Sequence, residues 1–262
     1  MTTPAVAPAI EIRHCATLAE YDECVRLENL TWGADIAVPS VMFFVAHHTG
    51  GQVLGAFADA KMVGFTLAFT GSRQGRIFLH SHMTAVLDVF RDRGVGRQLK
   101  LFQRQDALRR GIELIEWTFD PLEMKNAHFN LVRLGAVARR YIPDCYGITE
   151  SPLHSGLPTD RLVAEWWLGS ERVKRILADD PAPAGHAALR ISLPPNLPEV
   201  KSRERAAALQ IQADARAQFL KWFSQGYVAT AAESRAGASD YILEPASAIA
   251  GLRLPAIAES QG

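Results

Sequence analysis

Val86–Arg110 reads VLDVFRDRGVGRQLKLFQRQDALRR, and this stretch decides how the rest of the chain is interpreted. An apolar run from Met83 to Leu87 leads into a turn that carries Arg91, Arg93, Gly94 and Gly96. Leu99, Phe102 and Leu108 then return at helical spacing with basic residues between them, which predicts a helix. Without a Cβ, Gly94 and Gly96 let the backbone turn sharply and let a ligand come close. The helix that starts there presents unpaired N–H groups and the positive end of its dipole. Strand, basic glycine turn and helix N-terminus together predict an anion cradle, most naturally for a phosphate or pyrophosphate. It is not a Walker loop, because the spacing G-x-x-x-x-G-K-[ST] is absent.

Upstream of the cradle, Ile10–His14 reads as a short strand and Thr17 as a helix N-cap, with Glu20 closing a capping box. Val53–Ala58 and Val63–Phe69 are apolar runs separated by Asp59, Ala60 and Lys61, which predicts a β-hairpin. Gly71–Gly75 reads as a turn and Ile77–Leu87 as a long strand. Downstream, Gly111 follows the helix as a C-cap, and Ile112–Phe119 is another strand. A helix from about Asn126 to Leu134 ends at Gly135, ahead of a strand at Ala136–Tyr141. Arg161–Leu168 reads as a strand. The prolines of Asp179–Pro198 demand loop or sheet edge, Glu199–Phe223 is strongly helical, and Tyr227–Ala232 with Asp240–Leu243 predicts a late hairpin. The order predicts an α/β (α+β) fold, a mixed and mostly antiparallel sheet flanked by helices.

A chain of 262 residues suffices for one well-buried domain with an appendage. Its 28 basic and 28 acidic residues cancel, which implies no bulk attraction to nucleic acid or to an anionic membrane. No apolar run approaches bilayer-spanning length. The opening MTTPAVAPAIEIRH lacks the basic region and apolar core of a signal peptide, so the expected location is cytoplasmic. Cys15, Cys24 and Cys145 show no metal-ligand spacing; reduced structural thiols and no metal are expected.

The turn Arg91-Asp92-Arg93-Gly94-Val95-Gly96 resembles the acyl-CoA signature Q/R-x-x-G-x-G/A of the GNAT N-acyltransferase superfamily. Asn126-Ala127 and Leu134-Gly135-Ala136 resemble that family's N-x-x-A…L-G-F segment, and the resemblance covers about Ile10–Tyr146. TFDPLEMKNAHFNLVRLGAVARRYIPDCYG and GLPTDRLVAEW look like a bacterial subgroup with a long C-terminal extension, some members of which are associated with N-acylation of amino acids, including N-succinylation. The implied division is a GNAT core over 1–150 and, over 151–262, an α/β extension that completes the sheet and the acceptor pocket. The implied reaction moves an acyl group, acetyl or succinyl, from acyl-CoA to a small-molecule amine, with acetyl-CoA or another acyl-CoA as co-substrate.

The resemblance also implies site residues. Backbone N–H groups from Asp92 to Arg97 would hold the CoA pyrophosphate, with Arg91 and Arg93 beside it. The strand near Ala85, Val86 and Leu87 would splay from the Ile112–Phe119 strand. Its free edge would pair with the pantetheine arm and stabilise the oxyanion. Asn126 would contact the arm or order the next helix.

The family's usual general acid is a tyrosine four residues before the helix-ending glycine; here that position is Leu131, which leaves another tyrosine (Tyr141 or Tyr146), a water, or no dedicated acid to serve. Glu116, a charge inside an apolar strand, is a candidate base, with a structural ion pair as the alternative. His80 and His82 share a strand face by period two, and either suits proton relay near neutral pH. Asp160-Arg161 is expected at the acceptor site, Arg161 binding a carboxylate, against the alternative of an internal Asp–Arg pair. The basic face of Glu199–Phe223 is a solvated surface or covers a second copy in a homodimer. A CoA-binding sensor without turnover and a protein or peptide N-acetyltransferase remain the other readings.

Overall fold

The computed structural model describes residues 9–33, 37–147, 156–180, 188–235, 237–249 and 252, and divides into two units, Met1–Trp117 and Thr118–Gly262. In the first unit, β1 (Ile10–His14), β2 (Gln52–Ala58), β3 (Lys61–Arg73) and β4 (Arg76–Val86) pair antiparallel in that order, and β5 (Leu114–Phe119) lies parallel to β4. The division between units falls within β5.

Helix α1 (Leu18–Trp32) begins with the expected capping box: the Glu20 N–H donates to the Thr17 hydroxyl, and the Glu20 carboxylate accepts from the Thr17 N–H. With α2 (Ser40–His48) it builds one core around Tyr21, Leu27, Phe43, Phe65 and Leu67. Helix α3 (Val95–Arg109) covers the opposite face through Val95 and Leu99 against Leu54, Ala56 and Val63. The alternation of Val53 and Leu54 between the two cores is the period-two pattern of a strand buried on both sides.

Sequence reading assigned no element to α2, whose Val41, Phe43, Phe44 and Val45 are weak helix formers. Phe43 and Ala46, one turn apart and fully buried, supply the packing that overrides propensity. The first hairpin turns at Asp59 and Ala60, both at positive φ. The turn expected over Gly71–Gly75 contracts to Gln74-Gly75 at φ 51° and 74°, because β3 and β4 continue pairing to Arg73 and Arg76.

The second unit holds α4 (Met124–His128) and a π-helical turn at Phe129–Arg133. There follow β6 (Val137–Ile142), β7 (Arg161–Trp167), α5 (Glu171–Leu177), β8 (Leu189–Leu193), α6 (Leu197–Arg203), α7 (Arg205–Ser224), β9 (Tyr227–Arg235) and β10 (Ala238–Pro245). Its strands run in the order β7-β6-β9-β10-β8 with antiparallel neighbours. β8, in the proline-rich stretch, is the edge strand at one end of that order; Pro181 and Pro183 lie outside the described residues. The single helix expected over Glu199–Phe223 is two, broken at Glu204 (φ −129°, ψ 67°). The buried stripe of α7 is Ala208, Gln212, Ala215 and Phe219, while Leu209 is exposed.

Arg172 of α5 holds the exit from the π turn. Its Nε donates to the Gly135 carbonyl at 3.2 Å, and Nη2 to those of Leu131 and Thr230 at 3.1 and 2.5 Å. Replacing Arg172 by Met strands these carbonyls, each worth about 1–3 kcal/mol when buried and unsatisfied. The midpoint of urea unfolding should fall by the equivalent of about 3 kcal/mol in total. An unchanged midpoint removes Arg172 as the clamp.

Candidate active site

The cradle is built as its residue types require. A single 3₁₀ turn, Asp88–Phe90, follows β4, and Asp92 and Gly94 then take positive φ (58° and 80°) before α3 starts at Val95. The first bond of α3 runs from Gln98 N–H to Gly94 O at 3.0 Å, and no side chain caps this end. The N–H groups of Val95, Gly96 and Arg97 are therefore left to a ligand. A Cβ on Gly94 would meet nothing within 4 Å, so this glycine answers a backbone need and leaves open space in front of the helix. Arg97 adds an Nε that is buried without a hydrogen-bond partner. Arg91 is paired with Asp88 at 2.9 Å and donates through Nε to Val86 O at 3.1 Å, while Arg93 lies over the Phe90 ring at 5.6 Å. An uncapped helix, an orphaned guanidinium nitrogen and open space fit a phosphate group.

Beside the cradle, β4 leaves its neighbour. The parallel ladder with β5 consists of Leu79–Ile115 and His80–Glu116, after which Ser81–Val86 continue along β3. Ala85 and Val86 thus belong to a strand segment with one edge outside any described ladder. A bulge accompanies the parting: Leu67 pairs with Met83 and Ala68 with Ser81, so His82 is the extra residue. The His82 ring lies 5.8 Å from Phe69 and 6.1 Å from His80. Although His82 has an open surface, desolvation among these rings holds its pKa below the ordinary histidine value, which keeps the imidazole neutral and able to accept a proton at neutral pH.

Glu116 is corrected as a base. It is 3% exposed, and its two carboxylate oxygens accept from Arg73 Nη1 and Nη2 at 2.8 and 3.1 Å. A buried carboxylate held bidentately stays ionised to satisfy its partner and is a poor proton acceptor.

At the apex of the parting strands lies Lys100. Its Nζ donates to Ser81 Oγ at 2.8 Å and to Gln103 Oε1 at 3.1 Å, and stands 4.2 Å from the centroid of the Trp117 ring. Ser81 and Trp117 are the first residues on β4 and β5 beyond the last ladder pair, so Lys100 bridges the two strands where they separate. Burial lowers its pKa to about 7.

Among solved structures, the chain is similar to yncA of Salmonella typhimurium with its cofactor acetyl-CoA. Identity is 16%, coverage is 61% of this chain and 94% of that one, and the TM-score is 0.50. The chain has the GNAT fold. Matches of the same kind include the ribosomal-protein-S18-alanine N-acetyltransferase of Escherichia coli, at 14% identity, 68% and 98% coverage and a TM-score of 0.49. Another is Naa50 of Arabidopsis thaliana in complex with a bisubstrate analogue, at 12% identity, 60% and 97% coverage and a TM-score of 0.49. No family model and no curated protein matches the sequence.

The remaining residues that the GNAT resemblance implied lie in the second unit. Asn126 is exposed on α4, its Oδ1 accepting from Asn130 Nδ2 at 3.3 Å. Leu131 is fully buried in the π turn. Asp160 is corrected as an acceptor ligand: it is fully buried and accepts from Tyr141 Oη at 2.6 Å, Arg216 Nε and Nη2 at 2.8 and 2.7 Å, and the Asp144 N–H at 2.9 Å. The internal pair therefore exists, with Arg216 rather than Arg161 as its cation.

Tyr141 is corrected as the acid, because burial and then the bond to Asp160 push its pKa well above the ordinary tyrosine value. Arg161 donates to the Asp160 backbone carbonyl at 2.9 Å and lies 5.3 Å from the Tyr146 ring centroid. Tyr146 is about half exposed, and its hydroxyl is 2.8 Å from Thr118 Oγ1. Burial raises the Cys145 pKa, which disfavours a thiolate nucleophile. Among the described residues no group of three or more His, Cys, Asp or Glu side chains is placed to hold a metal ion, and no helix is long and apolar enough to cross a membrane.

Sequence reading missed Ser81, the bulge at His82 and the burial of Lys100. The signal for Lys100 was its place between Leu99 and Leu101; the buried stripe of α3 is Val95, Leu99, Lys100, Gln103, Asp106 and Ala107, half of it polar.

The buried amine makes stability depend on pH. Below pH 7 both folded and unfolded chains protonate Lys100, and the burial penalty is present in full. Between about 7 and the unfolded value of about 10.4 the unfolded state binds more protons, so stability rises with pH. Lys100→Met should therefore be more stable than the wild type at pH 6.5, with the gap closing by up to about 1.4 kcal/mol per pH unit toward pH 9.5. A gap that is constant across this range in parallel denaturation series contradicts a depressed amine.

Proposed function

We propose that this chain is an acyl-CoA-dependent N-acyltransferase that moves an acetyl or succinyl group to the amine of an amino acid or similar small molecule. One observation carries the reading: an uncapped, glycine-started helix opens beside a strand, β4, that leaves its parallel neighbour. The helix end suits a pyrophosphate and the strand edge suits the amides of a pantetheine arm, so one extended ligand with both features satisfies both.

In this reading the N–H groups of Asp92 to Arg97, with Arg91, Arg93 and Arg97 side chains near them, bind the CoA phosphates. The edge of Ala85, Val86 and Leu87 pairs with the arm. A backbone N–H of the segment beside the His82 bulge stabilises the oxyanion that forms when the amine attacks the thioester. Neutral His82 accepts the proton that the incoming ammonium must lose. Arg161 is assigned to a carboxylate of the acceptor amino acid for its planar, multi-donor guanidinium. Acyl transfer is direct, with neither a metal nor an acyl-enzyme in the scheme.

A second reading, acyl-CoA binding without turnover, is favoured by one feature: Leu131 stands where the family's usual acid is found, and Tyr141 is bonded to Asp160.

Calorimetric titration with CoA tests the binding half. Gly94→Glu should abolish binding by placing a carboxylate against the phosphates, whereas Gly75→Glu, equally strained at φ +74° in open space, should bind normally. Equal affinity in both variants contradicts the site. Thiol release from acetyl-CoA and succinyl-CoA with a panel of amino acids and a peptide N-terminus separates the readings: an amine-dependent rate supports the enzyme, and tight CoA binding without it supports the sensor.

A further inference from the structure

The acyltransferase reading leaves Ser81, Lys100 and Gln103 without a role, yet their bonding is unusual for a buried cluster. Ser81 Oγ accepts from Lys100 Nζ at 2.8 Å and from Gln103 Nε2 at 3.4 Å. A hydroxyl oxygen has two lone pairs and one proton, and both hydrogen bonds described for Ser81 Oγ are accepted ones, which leaves its proton for a further partner. Lys100 is 5% exposed and its described partners include no carboxylate. Among the described residues the Lys100 amine has no carboxylate partner, and it stands against the Ser81 oxygen. Ser81 is also the first β4 residue past the last ladder pair and the neighbour of the bulged His82. An arm that starts at the cradle and follows the β4 edge away from Val86 brings its thioester end to this apex.

We propose that the Ser81 hydroxyl, positioned and polarised by the Lys100 ammonium, is the hydrogen-bond donor and proton source for the CoA sulfur as it leaves. This rests on the acyltransferase reading. When the deprotonated amine attacks, the N–C bond forms, the C–S bond breaks and sulfur keeps the electron pair. Sulfur then takes the Ser81 proton, Ser81 Oγ takes one from Lys100 Nζ, and the neutral Lys100 amine regains a proton from water. The second proton on the new amide nitrogen passes to water and replaces the one that Lys100 took, so from the deprotonated amine and the thioester the products are the amide and the free thiol, with no net proton. A pKa near 7 suits an amine that gives and regains a proton at neutral pH.

The other charged and titratable groups on these elements are accounted for. On β4 there are Arg76, His80 and His82; on β5 Glu116 is held by Arg73; on α3 there are the cations Arg97, Arg104 and Arg109, and Asp106, which is held by Gln52, Arg109 and Arg110. His82 is the group whose titration overlaps, and His82→Gln serves as its control.

The test needs no acceptor amine. Full-length protein is loaded with CoA, and the bound thiol is titrated by thiolate absorbance. In the wild type its pKa should lie at least one unit below that in Lys100→Met and Ser81→Ala, about a tenfold higher thiolate-to-thiol ratio. Lys100→Arg, which keeps a cation, should retain the depression, and His82→Gln should leave it in place. If CoA binds none of these proteins, the acyltransferase reading fails. If CoA binds wild type, Lys100→Met and Ser81→Ala alike with one common thiol pKa, the role given to Ser81 and Lys100 fails while the binding site stands. Should Lys100→Met not fold, Ser81→Ala alone decides by the same comparison.

Discussion

Two parallel strands that stop pairing after a single pair of ladder contacts impose the constraint on which the first unit is organised. Once β4 and β5 separate beyond His80–Glu116, the polar edge of Ser81–Val86 has to be satisfied by something other than its former neighbour. The molecule stabilises the closed end of this fork heavily. Arg73 holds Glu116 on one side, and Lys100 ties Ser81 to the Trp117 ring at the apex. The open end carries the opposite arrangement, a helix without a cap and an arginine nitrogen without a partner. Contrast α1, which closes its own N-terminus with Thr17 and Glu20. Helix α1 satisfies its own first turn, whereas no side chain does so for α3.

The second unit shows how a charged cluster can look like a binding site and be a structural joint. Asp160 gathers Tyr141, Arg216 and the Asp144 backbone with no exposed surface of its own. Removing water from that carboxylate is expensive, and the several short donors around it offset the cost. Such a hub is poorly suited to releasing a substrate at every turnover.

Much of the fold was legible because its signals are local. The cradle, the capping box of Thr17 and Glu20, the Asp59-Ala60 hairpin and the β9–β10 pair all follow from residues a few positions apart. The failures share a different cause. Glu116 meets a cation 43 residues away and Asp160 one 56 residues away, and no pattern in either strand announces those partners. The bulge at His82 shifts the side-chain alternation by one residue, which a period-two reading passes over. In α3 the apolar spacing of Leu99, Phe102 and Leu108 pointed to a face that is partly open, because Lys100, Gln103 and Asp106 occupy half of the true buried stripe. Polar residues on a buried face were the signal, and hydrophobic periodicity is blind to them.

The central claim is that one ligand spans the helix end and the open strand edge. Hydrogen–deuterium exchange with and without CoA tests it directly, since both features consist of backbone amides. The account predicts slowed exchange in two segments together, Val95–Arg97 and Ser81–Val86. Protection of the helix start alone would reduce the site to a simple phosphate cradle, and protection of neither segment at saturating CoA would contradict the account outright.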